Sequence, residues 1–463
     1  MRPSSRPEIP IVIAAVLALG LVTEPKSEAD DSASSPTQPN IVFVLIDDLG
    51  QEGLGSYGST YSTPNLDQLA ASGMRFTHAY ATPLCSTTRV KVLTGRHLDR
   101  AYTEWGLLEP SEITFGNLLR DAGYATFAAG KWQLWGFPLG WPPGPECCYG
   151  RGQTPEDAGF DSSLVWHFYN KGSRFWHPLF YRDGADGAKP ADGKYGPDLL
   201  TDFLIEKIES QVKQRPEQPF FAYYPMVLVH SPYEPTPDSA AERGRPSPPA
   251  DVEKGPSLDG GDLANFPDMV AYTDKAIGRI LAKLDELGVR DNTLVLVTGD
   301  NGTPRGIDTK MKDGRTIPGG KGLSIDTGIH VPMLASWPGV IESGQVSRAL
   351  VDVGDILPTL AEAAGAALPQ DRVIDGKSLL PVARGEVSGV RDWLFTHYHP
   401  RFGTVKGKAW AYNHRFKLYD DGRFFDTIED SQEEQPLQPA ALSREAKAAM
   451  AMLRRGLDQS YDR

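Results

Sequence analysis

The 463-residue chain reads as an α/β protein with a large, mostly parallel central sheet flanked by helices, and a small antiparallel α+β subdomain at its C-terminal end. Three features carry this expectation. Short, near-continuous apolar runs recur at Ile41–Ile46, Ala125–Ala129, Phe220–Val229, Leu294–Thr298 and Met333–Trp337, the pattern of strands buried on both faces. Helical patterns lie between them, at Thr63–Ser72, Thr114–Ala122, Leu199–Gln214 and Met269–Leu287, as crossovers between parallel strands require. After about Gly385 the pattern changes to short aromatic strands (Trp410–Tyr412, Phe416–Tyr419, Arg423–Phe425) and a final Ala-rich helix.

The elements can be taken in chain order. Arg2 and Arg6 precede an apolar run of 14 residues, Ile9–Val22, and the chain turns polar at Thr23. That run is short for a membrane span and suits a secretory signal. We therefore expect a signal peptide over 1–29, a Ser/Pro/Asp-rich disordered lead-in over 30–39, a main domain over 40–388 and a C-terminal subdomain over 389–463. A retained membrane anchor is the alternative for the apolar run. The expected location is outside the cytoplasm, periplasmic or secreted, with no stable membrane span once the signal is removed. Residues 232–260, rich in Pro, Gly and charge, read as a long surface loop. The net charge of −13 argues against a nucleic-acid partner, because phosphate neutralisation needs clustered Lys and Arg. Three cysteines are too few for a disulfide framework.

What ends the strands is more informative. Ile41–Ile46 runs into Asp47-Asp48, Ala125–Ala129 passes Gly130 into Lys131, Phe220–Val229 ends at His230, and Leu294–Thr298 delivers Asp300-Asn301 after Gly299. Ligands of open α/β sheets bind outside the carboxyl ends of the strands. Asp47, Asp48, Asp300 and Asn301 are oxygen donors, the set a hard cation prefers; each pair is equally readable as a helix cap or a turn. Cys85, ahead of a helical pattern, would sit where the helix dipole favours an anion, with Arg89 on the same face. A buried structural cysteine is the plainer alternative. Trp132, Trp135, Trp141, Trp166 and Trp176 place five of nine tryptophans within 132–176. They either stack on a sugar or aryl group or pack loops onto the core. His97, His167, His177, His397 and His399 are further candidates to reach a pocket.

The segment Asn40–Gly50, then Thr63-Pro64-Asn65-Leu66-Asp67, Gly73-Met74-Arg75-Phe76, Cys85–Arg89, Leu93-Thr94-Gly95-Arg96 and Ala129-Gly130-Lys131-Trp132 closely resemble the type I sulfatases of the alkaline phosphatase superfamily. The likeness continues through His230-x-Pro232, Asp291-Asn292-Thr293, Asp300-Asn301-Gly302, Gly320-Lys321-Gly322, Val331-Pro332, Asp355–Thr359 and Asp375-Gly376-x-Ser378-Leu379, in the family's order up to about Gly385. The resemblance implies a sulfatase; with the N-terminal apolar run it reads as exported, and with the clustered tryptophans as acting on a sulfated carbohydrate or an aryl sulfate. It implies that a formylglycine-generating maturation enzyme oxidises Cys85 to formylglycine. The hydrated aldehyde would attack sulfur and also serve as a metal ligand. Asp47, Asp48, Asp300 and Asn301 would hold Ca²⁺ in preference to Mg²⁺. Arg89 would steady the formylglycine, Lys131 and Lys321 would bind sulfate oxygens, and His230 would meet the leaving oxygen as general acid.

Two positions depart from the family's pattern. Thr87 stands where Pro or Ala is usual in the modification motif, and Gln133 stands where a histidine is typical. Smaller departures are Asp326-Thr327-Gly328 in place of Glu-Gly-Gly and His330 in place of Arg. Glutamine can hydrogen-bond but cannot take a proton near neutrality. Two other readings accompany the sulfatase: a phosphonate or phosphodiester hydrolase on the same scaffold, and a degenerate sulfatase-like binding protein, motivated by Thr87 and Gln133. Once Cys85 is converted, the adjacent pair Cys147-Cys148 remains, and neighbouring cysteines rarely bridge.

Overall fold

The computed structural model describes residue 10 and residues 38–136, 150–166, 173–183, 191–242, 260–401 and 405–461. The expected signal peptide, most of the lead-in, Trp141, His167, Cys147, Cys148 and the second half of the expected 232–260 loop lie outside the described residues. The first part of that loop contains a short helix, Pro237–Glu242.

The strands in chain order are β1 Asn40–Ile46, β2 Met74–Tyr80, β3 Ala125–Lys131, β4 Ser162–Trp166, β5 Tyr181–Arg182, β6 Phe220–Pro225, β7 Thr293–Gly299, β8 Asp308–Lys310, β9 Thr316–Pro318, β10 His330–Ser336, β11 Gln345–Asp352, β12 Leu394–Tyr398, β13 Lys408–Tyr412, β14 Phe416–Tyr419 and β15 Phe424–Asp426. Nine of them form the main sheet in the order β11-β2-β10-β7-β1-β6-β3-β4-β5. The centre is parallel: β1 pairs with β6 and β7, and β3 with β4 and β6. β10 runs antiparallel to both β2 and β7, and β5 antiparallel to β4. The mostly parallel α/β class therefore holds, with the expected run Met333–Trp337 corrected: its Met333–Ser336 part belongs to the antiparallel strand β10 and Trp337 lies beyond it. β2 and β11 carry Arg75, Thr77, His78, Ser347 and Arg348, so no apolar run announces them.

Alternation along β1 explains the layering. Ile41, Phe43 and Leu45 enter one core with the helices Cys85–Thr94, Phe115–Asp121 and Ile356–Ala364. Val42, Val44 and Ile46 enter the other, with Gly196–Gln214 and Phe266–Glu286. A strand apolar on both faces is thus covered on both. Helix starts follow local chemistry: Thr114 and Asn117 form a capping box, and Pro64 and Pro197 occupy first-turn positions where a missing N–H costs nothing.

The tail forms the antiparallel sheet β12-β13-β14-β15. One face packs Ala409, Ala411 and Phe416 against the helix Arg444–Tyr461, and the other packs Trp410, Tyr412 and Tyr419 against Tyr80 and Leu350 of the main sheet. Across this seam Lys417, 2% exposed, donates Nζ to the Ser324 carbonyl and ion-pairs with Glu433 at 2.8 Å. Lys408 Nζ and Tyr419 Oη reach Ser324 Oγ at 2.9 and 2.8 Å. The tail thereby pins the segment just beyond Lys321. Among the described residues no helix is long and apolar enough to cross a membrane.

Gly130 shows how tightly the strand ends are set. Its φ is +137°, and a Cβ there would stand 1.8 Å from the Pro225 carbonyl oxygen. Gly130→Ala should force β3 away from β6 one residue before Lys131. We expect a loss of about 2–4 kcal/mol in chemical denaturation, with activity falling more than stability.

Candidate active site

The parallel strands β1, β3 and β7 deliver Asp47-Asp48, Lys131 and Asp300-Asn301 to one edge of the sheet. His230 arrives differently from its expectation. β6 ends at Pro225, and Met226–Val229 continue irregularly because they bond the end of β1 and the turn after it: Met226 N–H donates to Leu45 O, Asp47 N–H to Leu228 O, and Val229 N–H to Asp47 O. Asp48 adopts a left-handed backbone, φ 63°, which Asp tolerates better than most residues. Cys85 and Arg89 come from the first turns of the buried helix Cys85–Thr94, and Lys321 from the loop after β9.

These side chains converge. Lys131 Nζ donates to both carboxylate oxygens of Asp47, at 3.0 and 2.8 Å. Arg89 donates Nε and Nη2 to Asp300 Oδ2 at 3.1 and 2.9 Å, and Nη1 to the Lys131 carbonyl at 3.1 Å. Asp300 Oδ1 accepts from Asp48 N–H at 3.0 Å. Lys321 Nζ donates to Asp48 Oδ2 at 2.5 Å, and His230 Nε2 lies 3.7 Å from the same oxygen. Asp47, Asp48, Asp300, Asn301, Arg89 and Lys131 are all at most 1% exposed, and Cys85 is 4% exposed.

Asn301 tests whether a cation fits. Its amide nitrogen donates to Asp48 Oδ1 and to Gly302 O, both at 2.9 Å, while its buried Oδ1 meets no donor. A buried acceptor without a donor among carboxylates is what a cation satisfies. Asp47, Cys85 and Asp300 can each offer an atom within 4.8 Å of the others, about twice a Ca²⁺–oxygen bond. The oxygen-dominated donor set fits a hard divalent ion.

The field of the site follows from burial. Burial and the Asp47 charge push Asp300 up to about 7 against the pull of Arg89. For Asp47, burial is outweighed by Lys131, His230 and Arg89, which hold it well below the usual carboxylate range. Burial pushes the Cys85 thiol up, so it stays uncharged. Burial, then Lys321 and Arg174, keep the His230 imidazole neutral.

A cavity of about 620 Å³ opens onto Cys85, Asp48, His230 and Lys321. Thr87 stays out of it, fully buried, with Oγ1 2.8 Å from Leu84 O and 2.5 Å from Thr82 Oγ1. Gln133 lines the cavity with a left-handed backbone, φ 55°, and its buried Oε1 has no donor. Trp105, Arg174 and Tyr398 also line it, and sequence reading missed all three. Only their places in the fold reveal them: Tyr398 ends the first strand of the tail and Arg174 follows a segment without periodicity. The tryptophan cluster resolves toward packing, since Trp132, Trp166 and Trp176 are buried in the two main cores. Of the flagged histidines, His97 lines a separate cavity beside Asp375, while His177, His397 and His399 are not on the walls of this one. His330 is bound to Asp326 at 3.2 Å and stacks on Tyr80.

A family model described as Sulfatase matches residues 39–366, and one described as N-sulphoglucosamine sulphohydrolase, C-terminal, matches residues 320–459. The chain is 32% identical to N-acetylgalactosamine-6-sulfatase of Canis lupus familiaris over 84% of this chain and 75% of that protein. It is 33% identical to arylsulfatase A of Homo sapiens over 79% of this chain and 71% of that protein. Among solved structures, one determined with its substrate D-glucosamine-2-N,6-O-disulfate superimposes with a TM-score of 0.71 at 22% identity, covering 92% of this chain and 98% of that one. The phosphonate monoester hydrolase of Agrobacterium radiobacter superimposes with a TM-score of 0.64 at 22% identity, covering 92% and 96%, so the fold alone does not separate the two chemistries. The sequence relatives do: with more than two thirds of its length matched by the Sulfatase model, the chain belongs to the sulfatase family and is a sulfuric ester hydrolase.

Proposed function

We propose that this sulfatase is exported and hydrolyses a sulfate ester on a sugar, with Cys85 converted to formylglycine and Ca²⁺ held by Asp47, Asp48, Asp300, Asn301 and the residue at 85. The observation that carries this reading is that buried Asp47 and Asp300 come within reach of Cys85, with Asp48 and the orphaned Asn301 Oδ1 in the same buried hydrogen-bonded cluster. When bound, the cation would polarise a sulfate oxygen, and the hydrated aldehyde would supply an oxygen nucleophile in place of the uncharged thiol. Residues 40–388 would carry the chemistry, and residues 389–463 would complete the pocket through Tyr398.

The chain's own groups have distinct tasks. Arg89, fixed between Asp300 and the Lys131 carbonyl, sets the orientation of the helix start that carries Cys85. Lys131 and Lys321, each seated on an aspartate, present compact positive charge to sulfate oxygens. Burial, Lys321 and Arg174 hold the His230 ring neutral, so in place of the expected general acid it would orient the leaving oxygen through a hydrogen bond, and that oxygen would take its proton from water in the open cavity. Gln133 takes no proton, so His230 is the one imidazole on the described wall of the cavity. The orphaned Gln133 Oε1 and Tyr398 Oη beside Trp105 suit a ligand with hydroxyls and an apolar face, which favours a sugar.

Mass spectrometry of the tryptic peptide Phe76–Arg89 from the native host should show an aldehyde at position 85; a thiol there would sink the formylglycine mechanism and leave a binding protein. An aryl sulfate should be turned over far faster than the matching aryl phosphodiester, and the reverse order would make the protein a phosphodiesterase. Asp300→Ala should abolish calcium binding in calorimetry together with sulfate-ester turnover, and an active, metal-free variant would contradict the ligand assignment. Arg89→Ala leaves Asp300 buried without its cation. It should cost about 3–5 kcal/mol in denaturant unfolding, and Arg89→Lys should recover little of it because a lysine cannot span Asp300 and the Lys131 carbonyl at once.

A further inference from the structure

We infer that the substrate carries a second anionic group beside the scissile sulfate and that Arg174 binds it. The inference rests on the sulfate-ester reading above and narrows its substrate class. Arg174 is 3% exposed on the wall of the cavity that Cys85, His230 and Lys321 also line. Its guanidinium stacks 4.5 Å over Trp166, and Nη2 donates to the Ser231 carbonyl and lies 3.1 Å from His230 Nδ1. Nε and Nη1 make no hydrogen bond among the described residues.

No carboxylate among the described residues forms an ion pair with Arg174; Asp47, Asp48 and Glu234 act on it only at longer range. The other cations here are each seated on an aspartate: buried Arg89 on Asp300, buried Lys131 on Asp47 and half-buried Lys321 on Asp48. Three carboxylates therefore already face three cations, before any bound Ca²⁺ is counted. Arg174 and the exposed Arg305 at the rim add two positive charges to the cavity, and Glu234, whose carboxyl burial pushes up, offsets one at most. A buried guanidinium without an anionic partner is costly, and its fork matches a carboxylate or a sulfate with two parallel hydrogen bonds. A single sulfate group, held by Lys131 and Lys321, leaves Arg174 unanswered. A saccharide with a second sulfate or a neighbouring uronate answers it, whereas a singly charged aryl sulfate does not.

The rival role for Arg174 is to hold His230 alone, and binding separates the two. Calorimetry on calcium-loaded Cys85→Ser protein, which cannot turn substrate over, would compare N-acetylglucosamine 6-sulfate, glucosamine N,6-disulfate and a disaccharide joining a uronate to the 6-sulfated sugar. The disulfate or the uronate compound should bind about tenfold or more tightly than the monosulfate, and whichever does identifies the second group. Adding Arg174→Gln should bring that ratio within about threefold, and Arg174→Lys should keep part of it. Equal affinity of the Cys85→Ser protein for all three ligands would overturn the inference without any Arg174 variant, as would a ratio that survives Arg174→Gln. Turnover of p-nitrophenyl sulfate by the wild-type protein tests the sulfate-ester reading separately, so either can fail alone.

Discussion

Three carboxylates cannot share a buried edge of a sheet unless positive charge is built in beside them. Two like charges 4 Å apart repel by about 4 kcal/mol even at the effective dielectric of a protein surface, and Asp47, Asp48 and Asp300 are all at most 1% exposed. Arg89, Lys131 and Lys321 meet that demand one by one, and each comes from a different part of the chain: a helix start, the end of β3 and the loop after β9. The strand order β7-β1-β6-β3 then follows a functional logic. β1 in the middle carries two of the acids, β7 beside it carries the third, and β3 brings a lysine across β6.

The same constraint reaches the tail. Lys321 is useful only if its loop is held against Asp48, and that loop is fastened at Ser324 by Lys417, Lys408 and Tyr419 of the small sheet. Burying Lys417 is itself expensive, and burial pulls its ammonium down in pKa. Glu433 and the rings of Trp410 and Tyr419, both within 5.0 Å of Nζ, compensate. An appendage remote in sequence is thus part of the electrostatic frame of the pocket, and it adds Tyr398 to the wall.

The strand ends were legible in the sequence for a physical reason. A strand covered on both faces is apolar throughout, so its first polar residues mark the edge where a parallel sheet presents its ligands, and Asp47, Lys131 and Asp300 stand there. β2 and β11 were not legible, because Arg75, Thr77, His78 and Arg348 interrupt any apolar run. The end of β6 was misplaced for a related reason: Met226–Val229 are as apolar as a strand, yet they turn aside to bond the segment around Asp47. The tryptophans show the opposite limit. Composition marked 132–176 as aromatic, but whether an indole faces a core or a cavity depends on which loops pack over it, and among the described residues the indole on the cavity wall is Trp105.

Cys85 is the odd member of its own site. Its neighbours are carboxylate oxygens and a carboxamide, donors that select a hard cation, and a thiol is a soft ligand that such an ion binds poorly. Burial also keeps that thiol protonated despite Lys131 nearby, which removes the thiolate that nucleophilic or metal-binding cysteines rely on. As a structural cysteine it would be badly placed too, since position 85 opens onto a cavity and its apolar neighbours among the described residues are Trp105 and Leu84. Replacing sulfur by oxygen at this one position resolves both mismatches at once: the donor set becomes uniform, and the nucleophile no longer depends on ionising a thiol in a crowd of carboxylates. Under the proposed reading, the surroundings of position 85 would suit an oxygen donor better than the sulfur of a cysteine, whatever Thr87 does.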